Sequence, residues 1–351
     1  MNLGGTIRFN RVGVCVVVVI FLLLLFYMNS GGGGSSNSIG AKSVQEEKNT
    51  NSINLRKLLI AAIEVAEKGG KEVIAVQTEN DLDEKIKGKT KEGVKEPVTR
   101  ADLNSHCVMF YSLKRLYPAL KVISEEKKEK NECSDLLFLD SEPNLKGYDT
   151  LPDETVPVDH IAVWIDPLDA TKEFTEKKLD YVMTMVCVAV DGKPVIGVIH
   201  KPFGAEPRTT WAWVGKKFSS NLKVLSEDDI GMTPKIIVSM SHAGEVKNVS
   251  EKAFGKSVDI IAAAGAGYKS LEVAQGNATA YVHTTAIKKW DVCAGDAVLS
   301  ALGGSMTTLS GRGLDYAGSA AAENRDGLLA TLARHGWYKD KLGAALKPPA
   351  N

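Results

Sequence analysis

Trp164-Ile165-Asp166-Pro167-Leu168-Asp169-Ala170-Thr171 decides both the fold and the chemistry of this chain. The apolar run from Ile161 to Ile165 predicts a buried strand, and Pro167, which has no N–H for a ladder, predicts that the strand stops there. Asp166 and Asp169 then land in a tight turn at the strand's end. Two carboxylates three residues apart, with the Leu168 carbonyl between them, make an oxygen-rich site suited to magnesium, which favours octahedral oxygen ligands and keeps waters that leave room for a phosphate. By itself such a pair is more often an Asx-capped turn, so the flanking sequence has to settle the matter.

Upstream, Leu55, Leu58, Leu59, Ala62, Ile63 and Ala66 recur at helical spacing, and a second helical stretch runs from about 101 to 117 before Pro118. Strands are expected at Lys121–Ser124, Ile161–Ile165, Tyr181–Val190 and Pro194–Ile199, with Asp191-Gly192 as a hairpin turn. This half reads as helices on a mostly antiparallel sheet. Residues 127–157, charged and with little periodicity, read as a long solvated loop that brings Glu125 towards Asp166. Beyond 230 strands and helices alternate: strands at 235–239, 260–264 and 279–282, helices at 245–254, 268–275 and 291–302.

With Glu125-Glu126 before it and Trp290-Asp291 after it, the Asp166–Thr171 string resembles the magnesium-dependent, lithium-inhibited phosphomonoesterases. That superfamily includes inositol monophosphatase, fructose bisphosphatase and the 3′-nucleotidases that cleave 3′-phosphoadenosine 5′-phosphate. The resemblance covers roughly residues 53 to 335. Asp169-Ala170-Thr171-Lys172-Glu173-Phe174, Ser239-Met240-Ser241-His242, Ala264-Gly265-Ala266-Gly267-Tyr268-Lys269 and Lys288-Lys289-Trp290-Asp291 favour the nucleotidase branch.

The resemblance implies an α/β fold, a five-layer αβαβα sandwich of the inositol monophosphatase and fructose bisphosphatase type. It implies two or three magnesium ions held by Glu125, Asp166, the Leu168 carbonyl, Asp169 and Asp291. Asp102 becomes the general base acting with Thr171, and Thr171, Ser241, His242, Gly265 and Lys269 the nucleotide contacts. Without the resemblance, Asp102 reads as a helix N-cap and His242 as a structural histidine. Ser124 stands where many relatives have glycine before the two acids, and Ala170 where inositol monophosphatases carry glycine. The implied reaction releases AMP and phosphate from 3′-phosphoadenosine 5′-phosphate and is inhibited by lithium. An inositol phosphate phosphatase would share the metal ligands, whereas a silent nucleotide-binding scaffold would tolerate Asp166→Asn.

A 351-residue chain with 44% hydrophobic and 25% charged residues suffices for one large α/β domain or two halves sharing a core. Zero formal net charge speaks against polymeric nucleic acid as a partner. Seventeen uncharged, mainly apolar residues, Val12 to Met28, follow Arg8 and Arg11 and predict an uncleaved membrane anchor. The basic residues then stay cytosolic (residues 1–11) and the remainder faces the lumen, a single-pass type II arrangement that the resemblance places in the Golgi membrane. Residues 29–52 read as a flexible stalk, 53–230 as an α+β half with the metal site, and 231–351 as an α/β half with the nucleotide residues. A homodimer is compatible with the resemblance. Of five cysteines, none shows zinc spacing, and Cys187 and Cys293 are expected as buried free thiols. Asn248-Val249-Ser250 and Asn277-Ala278-Thr279 are glycosylation sequons compatible with a lumenal glycoprotein.

Overall fold

The computed structural model describes residues 51–346, apart from 90–92, 94, 134–135, 140, 142–143, 145, 232 and 241–242. The expected anchor and nearly all of the expected stalk lie outside the described residues, as do Ser241 and His242. Among the described residues no helix is long and apolar enough to cross a membrane.

After the short strand β1 (Ser52–Asn54), helix α1 (Leu55–Glu79) begins where the Asn54 side chain accepts the Lys57 N–H at 3.0 Å. It ends at Asn80, whose φ of 55° breaks the helix. Its buried face carries Leu55, Leu58, Leu59, Ala62, Ile63 and Ala66, the predicted stripe. A hairpin that the sequence reading missed, β2 (Lys85–Lys89) and β3 (Lys95–Val98), leads to α2 (Arg100–Leu116). Thr99 is the N-cap of α2 and Asp102 sits three residues on, closing a capping box; Asp102 is therefore not the cap itself.

The first sheet has the order β10-β9-β8-β7-β6-β4. Its strands are β4 (Lys121–Ser124), β6 (Ile161–Asp169), β7 (Met183–Val190), β8 (Lys193–Lys201), β9 (Arg208–Trp213) and β10 (Lys217–Phe218), and all pairs are antiparallel except β4 with β6. β5 (Thr155–Pro157) pairs instead with β1. The expected stop at Pro167 is corrected, because β6 continues to Asp169 through a bulge. Asp166 faces Met185 and Asp169 faces Met183, so one extra residue is accommodated where proline cannot donate to the ladder.

Every residue of β6 is buried because both faces are covered. Val163 and Ile165 pack towards α1 and α2 with Leu58, Leu59, Val186 and Val198. Trp164 points the other way, into a second core with Cys187, Ala294, Tyr281 and Leu328.

That second core lies between the first sheet and a five-stranded sheet of order β12-β11-β13-β17-β15. These strands are β11 (Lys235–Ser239), β12 (Asp259–Ala263), β13 (Ala280–His283), β15 (Ser305–Thr307) and β17 (Leu328–Thr331); the pair β14 (Ile287–Lys288) and β16 (Glu323–Asn324) stands beside it. Short helices α3 (Thr171–Thr175) and α4 (Glu227–Ile230) precede β7 and β11 respectively. Helices α6 (Ala266–Ala274) and α7 (Lys289–Ala301) fill the space between the sheets, and α5 (Ala243–Phe254) and α8 (His335–Leu346) cover the outer face. The layers thus run helix, sheet, helix, sheet, helix. β15, β17 and α8 were not anticipated: strands of three and four residues carry too little periodicity to read.

Two expectations about covalent and loop structure are overturned. Cys187 and Cys293 are not free thiols but a disulfide with Cα atoms 5.7 Å apart, since α7 packs directly on β7. A second disulfide joins Cys107 to Cys133. The 127–157 segment is consequently more than a solvated loop, with Cys133 and Leu151 buried, although Leu137 stays 79% exposed.

Candidate active site

The parallel pairing of β4 with β6 sets Ser124 opposite Ile165, so the residues that follow, Glu125 and Asp166, emerge side by side. The Glu125 N–H donates to the Ile165 carbonyl at 3.1 Å and fixes that alignment. From the opposite side α7 contributes Asp291, the third residue of the helix, whose carboxylate accepts the Lys288 N–H at 3.1 Å. Carboxylate oxygens of Glu125, Asp166 and Asp291 all lie within 4.8 Å of one another, Asp166 buried and the other two half-buried. Burial raises the Asp166 carboxyl well above the ordinary value, and Glu125, Asp169 and Asp291 push it further. Asp291 is raised likewise, by burial and then by Glu125 and Asp169. Three hard oxygen donors crowded against their own repulsion fit a divalent cation.

Asp169 lines the same cleft beside this group, with its carboxylate held by backbone amides. Its two oxygens accept the N–H groups of Ala266 at 3.0 Å and Gly267 at 2.7 Å, at the N-terminus of α6. Gly265 makes the approach feasible: at φ 66°, a Cβ there would stand 2.8 Å from the Tyr181 carbonyl and 3.0 Å from Asp169 Oδ2. The Leu168 carbonyl accepts from the Thr171 hydroxyl at 3.1 Å, while the Leu168 N–H donates to Asp166 Oδ1 at 3.1 Å.

Thr171 opens α3 behind Ala170, which is left-handed at φ 70° although not glycine. This turn aims the Thr171 hydroxyl at Asp102 Oδ1, 2.8 Å away. Asp102 Oδ2 accepts both the Thr99 N–H at 2.7 Å and the Thr99 hydroxyl at 2.6 Å. The Thr171 hydroxyl has one hydrogen for two acceptors, Asp102 and the Leu168 carbonyl. Burial lifts Asp102 from 3.8 to about 7 against the pull of its Thr99 hydrogen bonds. A carboxyl in that range can take up or return a proton near neutrality.

The cleft between these groups has a volume of about 380 Å³ and is also lined by Lys269, Tyr281, His283 and Lys288. Lys269 is buried, its ammonium bonded to the Gly265 carbonyl and 5.1 Å from the Tyr281 ring centre. Burial lowers it to about 8 despite Asp169 and Glu173 nearby. One partner escaped the sequence reading altogether. Lys87, on β2, contacts Glu125 at 2.6 Å and also Glu126. Burial lowers its pKa, but the two acids outweigh that and raise it. The alternation Lys85-Ile86-Lys87 was the available signal for a strand there.

Asp102, Asp166 and Asp291 keep protons in the folded protein where unfolded carboxylates have lost them. Their stabilising contribution is therefore full below about pH 4 and is lost as pH rises through their raised folded values, which for Asp102 is about 7. Magnesium competes with protons for such oxygens, so it is expected to raise the thermal midpoint more at about pH 7.5 than at about pH 5. Equal shifts in scanning fluorimetry would argue against this arrangement.

Clustered acids beside a threonine–aspartate pair fit a phosphoric monoester hydrolase with room for a divalent cation. The chain belongs to the inositol monophosphatase family, whose model matches residues 54–338. It is 46% identical over 295 residues to inositol monophosphatase 3 of Danio rerio, covering 81% of this chain and 83% of that one. It is also 46% identical over 299 residues to the Golgi-resident adenosine 3′,5′-bisphosphate 3′-phosphatase of Rattus norvegicus, covering 84% and 82%. Among solved structures, the extragenic suppressor protein suhB of Bartonella henselae superposes with a TM-score of 0.61 at 20% identity, covering 84% of this chain and 99% of that one. The last likeness concerns the fold.

Proposed function

We propose that this phosphoric monoester hydrolase is a magnesium-dependent 3′-nucleotidase that cleaves 3′-phosphoadenosine 5′-phosphate to AMP and phosphate in the Golgi lumen, where it supports sulfation. The observation that carries the chemistry is the convergence of Glu125, Asp166 and Asp291 beside the Thr171–Asp102 pair. Those three carboxylates, with the Leu168 carbonyl and Asp169 adjoining, would hold the magnesium. Bound magnesium supplies charge compensation for the phosphoryl oxygens and acidifies water.

Thr171 orients the attacking water; its hydroxyl takes a proton from the water and passes its own to Asp102 Oδ1 as the new P–O bond forms in line with cleavage of the bond to the 3′-oxygen, which leaves and takes a proton from solvent water. Lys269, held at the start of α6, gives positive charge to an anionic nucleotide, and Gly265 allows it close to the backbone. Ser241 and His242 are assigned to the same nucleotide by resemblance. Residues 12–28 anchor the enzyme with its catalytic part lumenal, and lithium inhibits by competing at a magnesium position.

The substrate assignment draws on the Golgi-resident relatives and on Lys269. The Danio rerio relative's name favours a second reading, an inositol monophosphate as substrate. Purified protein with magnesium is expected to release phosphate faster from adenosine 3′,5′-bisphosphate than from inositol monophosphates, and lithium to suppress the release. Lys269→Ala should raise KM for the nucleotide roughly tenfold or more, the value of a lost charged hydrogen bond. A preference for inositol phosphates would move the assignment to the second reading, and no magnesium-dependent release from either would end both.

A further inference from the structure

We infer that the Cys187–Cys293 disulfide and the Trp164–Tyr316–Asp296 hydrogen-bond chain beside it form a brace that positions Asp291 against Asp166 and so sets the site's affinity for magnesium. The brace presupposes the metal site proposed for these carboxylates.

The ligands come from two elements with no shared backbone ladder: Asp166 from β6, Asp291 from α7. Their separation depends on how α7 lies on the first sheet. Where α7 crosses β8, it rests on Gly197, at which a Cβ would stand 2.3 Å from the Ala294 carbonyl oxygen and 2.9 Å from the Ala297 Cβ. Such flush contact brings the helix close but provides no side-chain knob there to stop it sliding along the sheet.

The disulfide and the hydrogen-bond chain supply that stop. Cys187 faces Trp164 across the β6–β7 ladder, and Trp164 is two residues before Asp166. Cys293 is two residues after Asp291. The covalent bond therefore joins the strand beside one ligand to the helix turn that carries the other. On the same side, the Trp164 Nε1–H donates to the Tyr316 carbonyl at 2.8 Å, and the Tyr316 hydroxyl donates to Asp296 Oδ2 at 2.9 Å. Asp296 Oδ1 accepts the Ser300 hydroxyl at 3.2 Å, one turn further along α7. Trp164, Tyr316, Asp296 and both cysteines are buried. None of them belongs to the acidic group itself; they act through Asp166 and Asp291 as positioning residues. Outer groups that orient metal ligands typically change metal affinity by about 10- to 100-fold when lost.

The test is calorimetric titration of the full protein with magnesium alone, at a temperature well below every thermal midpoint. Two independent variants break the brace: Cys187→Ala with Cys293→Ala, and Tyr316→Phe, which leaves all cysteines in place. A third, Cys107→Ala with Cys133→Ala, removes the other disulfide as a control for stability loss. Both brace variants are expected to bind magnesium about tenfold or more weakly, whereas the control binds within about twofold of the unaltered protein despite its lower midpoint. If the double cysteine variant does not fold, Tyr316→Phe alone decides between the two outcomes. Unchanged affinity in the folded brace variants, or an equal loss in the control, overturns the brace and leaves the metal site standing. Absence of magnesium uptake by the unaltered protein overturns the metal-site reading itself.

Discussion

Asp166→Asn is expected to lower phosphate release by on the order of a thousandfold, more than the loss typical of groups that merely orient a ligand, while raising the thermal midpoint of the protein in chelator. Asparagine keeps the shape, and its side-chain oxygen can still accept the Leu168 N–H that Asp166 accepts at 3.1 Å. What disappears is one buried ionisable carboxyl from a group of three within 4.8 Å. Without divalent ion that carboxyl must take up a proton or hold its charge against its neighbours, and both cost stability at neutral pH, so its removal stabilises the fold; with magnesium it would be a ligand, so its removal weakens binding. Opposite signs in the two assays distinguish a functional charge cluster from a structural one. A variant that is both inactive and less stable in chelator would mean that Asp166 mainly holds its turn together.

Gly197→Ala is expected to cost about 3 kcal/mol or more, the upper end for overpacking. The added Cβ would meet the Ala294 carbonyl oxygen at 2.3 Å, and a helix backbone cannot swing away as a flexible side chain can. Gly336→Ala is the comparison, since nothing lies within 4 Å of the position a Cβ would take there. Urea unfolding of both variants checks the contrast. A Gly197→Ala protein within about 0.5 kcal/mol of the unaltered chain, the range of ordinary surface changes, would show that α7 does not press on β8 so tightly.

Much of this architecture was legible because long-range structure left local marks. The stripe on α1 repeats with the helical period, the unbroken apolar run of β6 suits a strand buried on both faces, and Asp191-Gly192 marks the turn of its hairpin. The family resemblance nominates Asp102, Thr171, Glu125, Asp166 and Asp291, and the fold places them around one cleft, Asp102 behind Thr171. Asp169 shows the limit. Sequence marks it as an acid next to Asp166, yet its partners are amide groups about a hundred residues downstream. Lys87 was invisible for a related reason: one lysine among several on a charged strand acquires meaning only when the hairpin lays it on Glu125 and Glu126. The cysteine pairs were misjudged because an apolar setting suits a thiol and a disulfide equally well, and only the packing of α7 on β7 tells them apart.

The Cys187–Cys293 bond also spans a chain separation of 106 residues, and the exposed stretch around Val224, itself 65% exposed, lies inside that span. A protease that cuts there opens the polypeptide without letting it come apart. The two pieces, one bearing Asp166 and the other Asp291, should travel as a single band on a denaturing gel and separate only once a thiol is added.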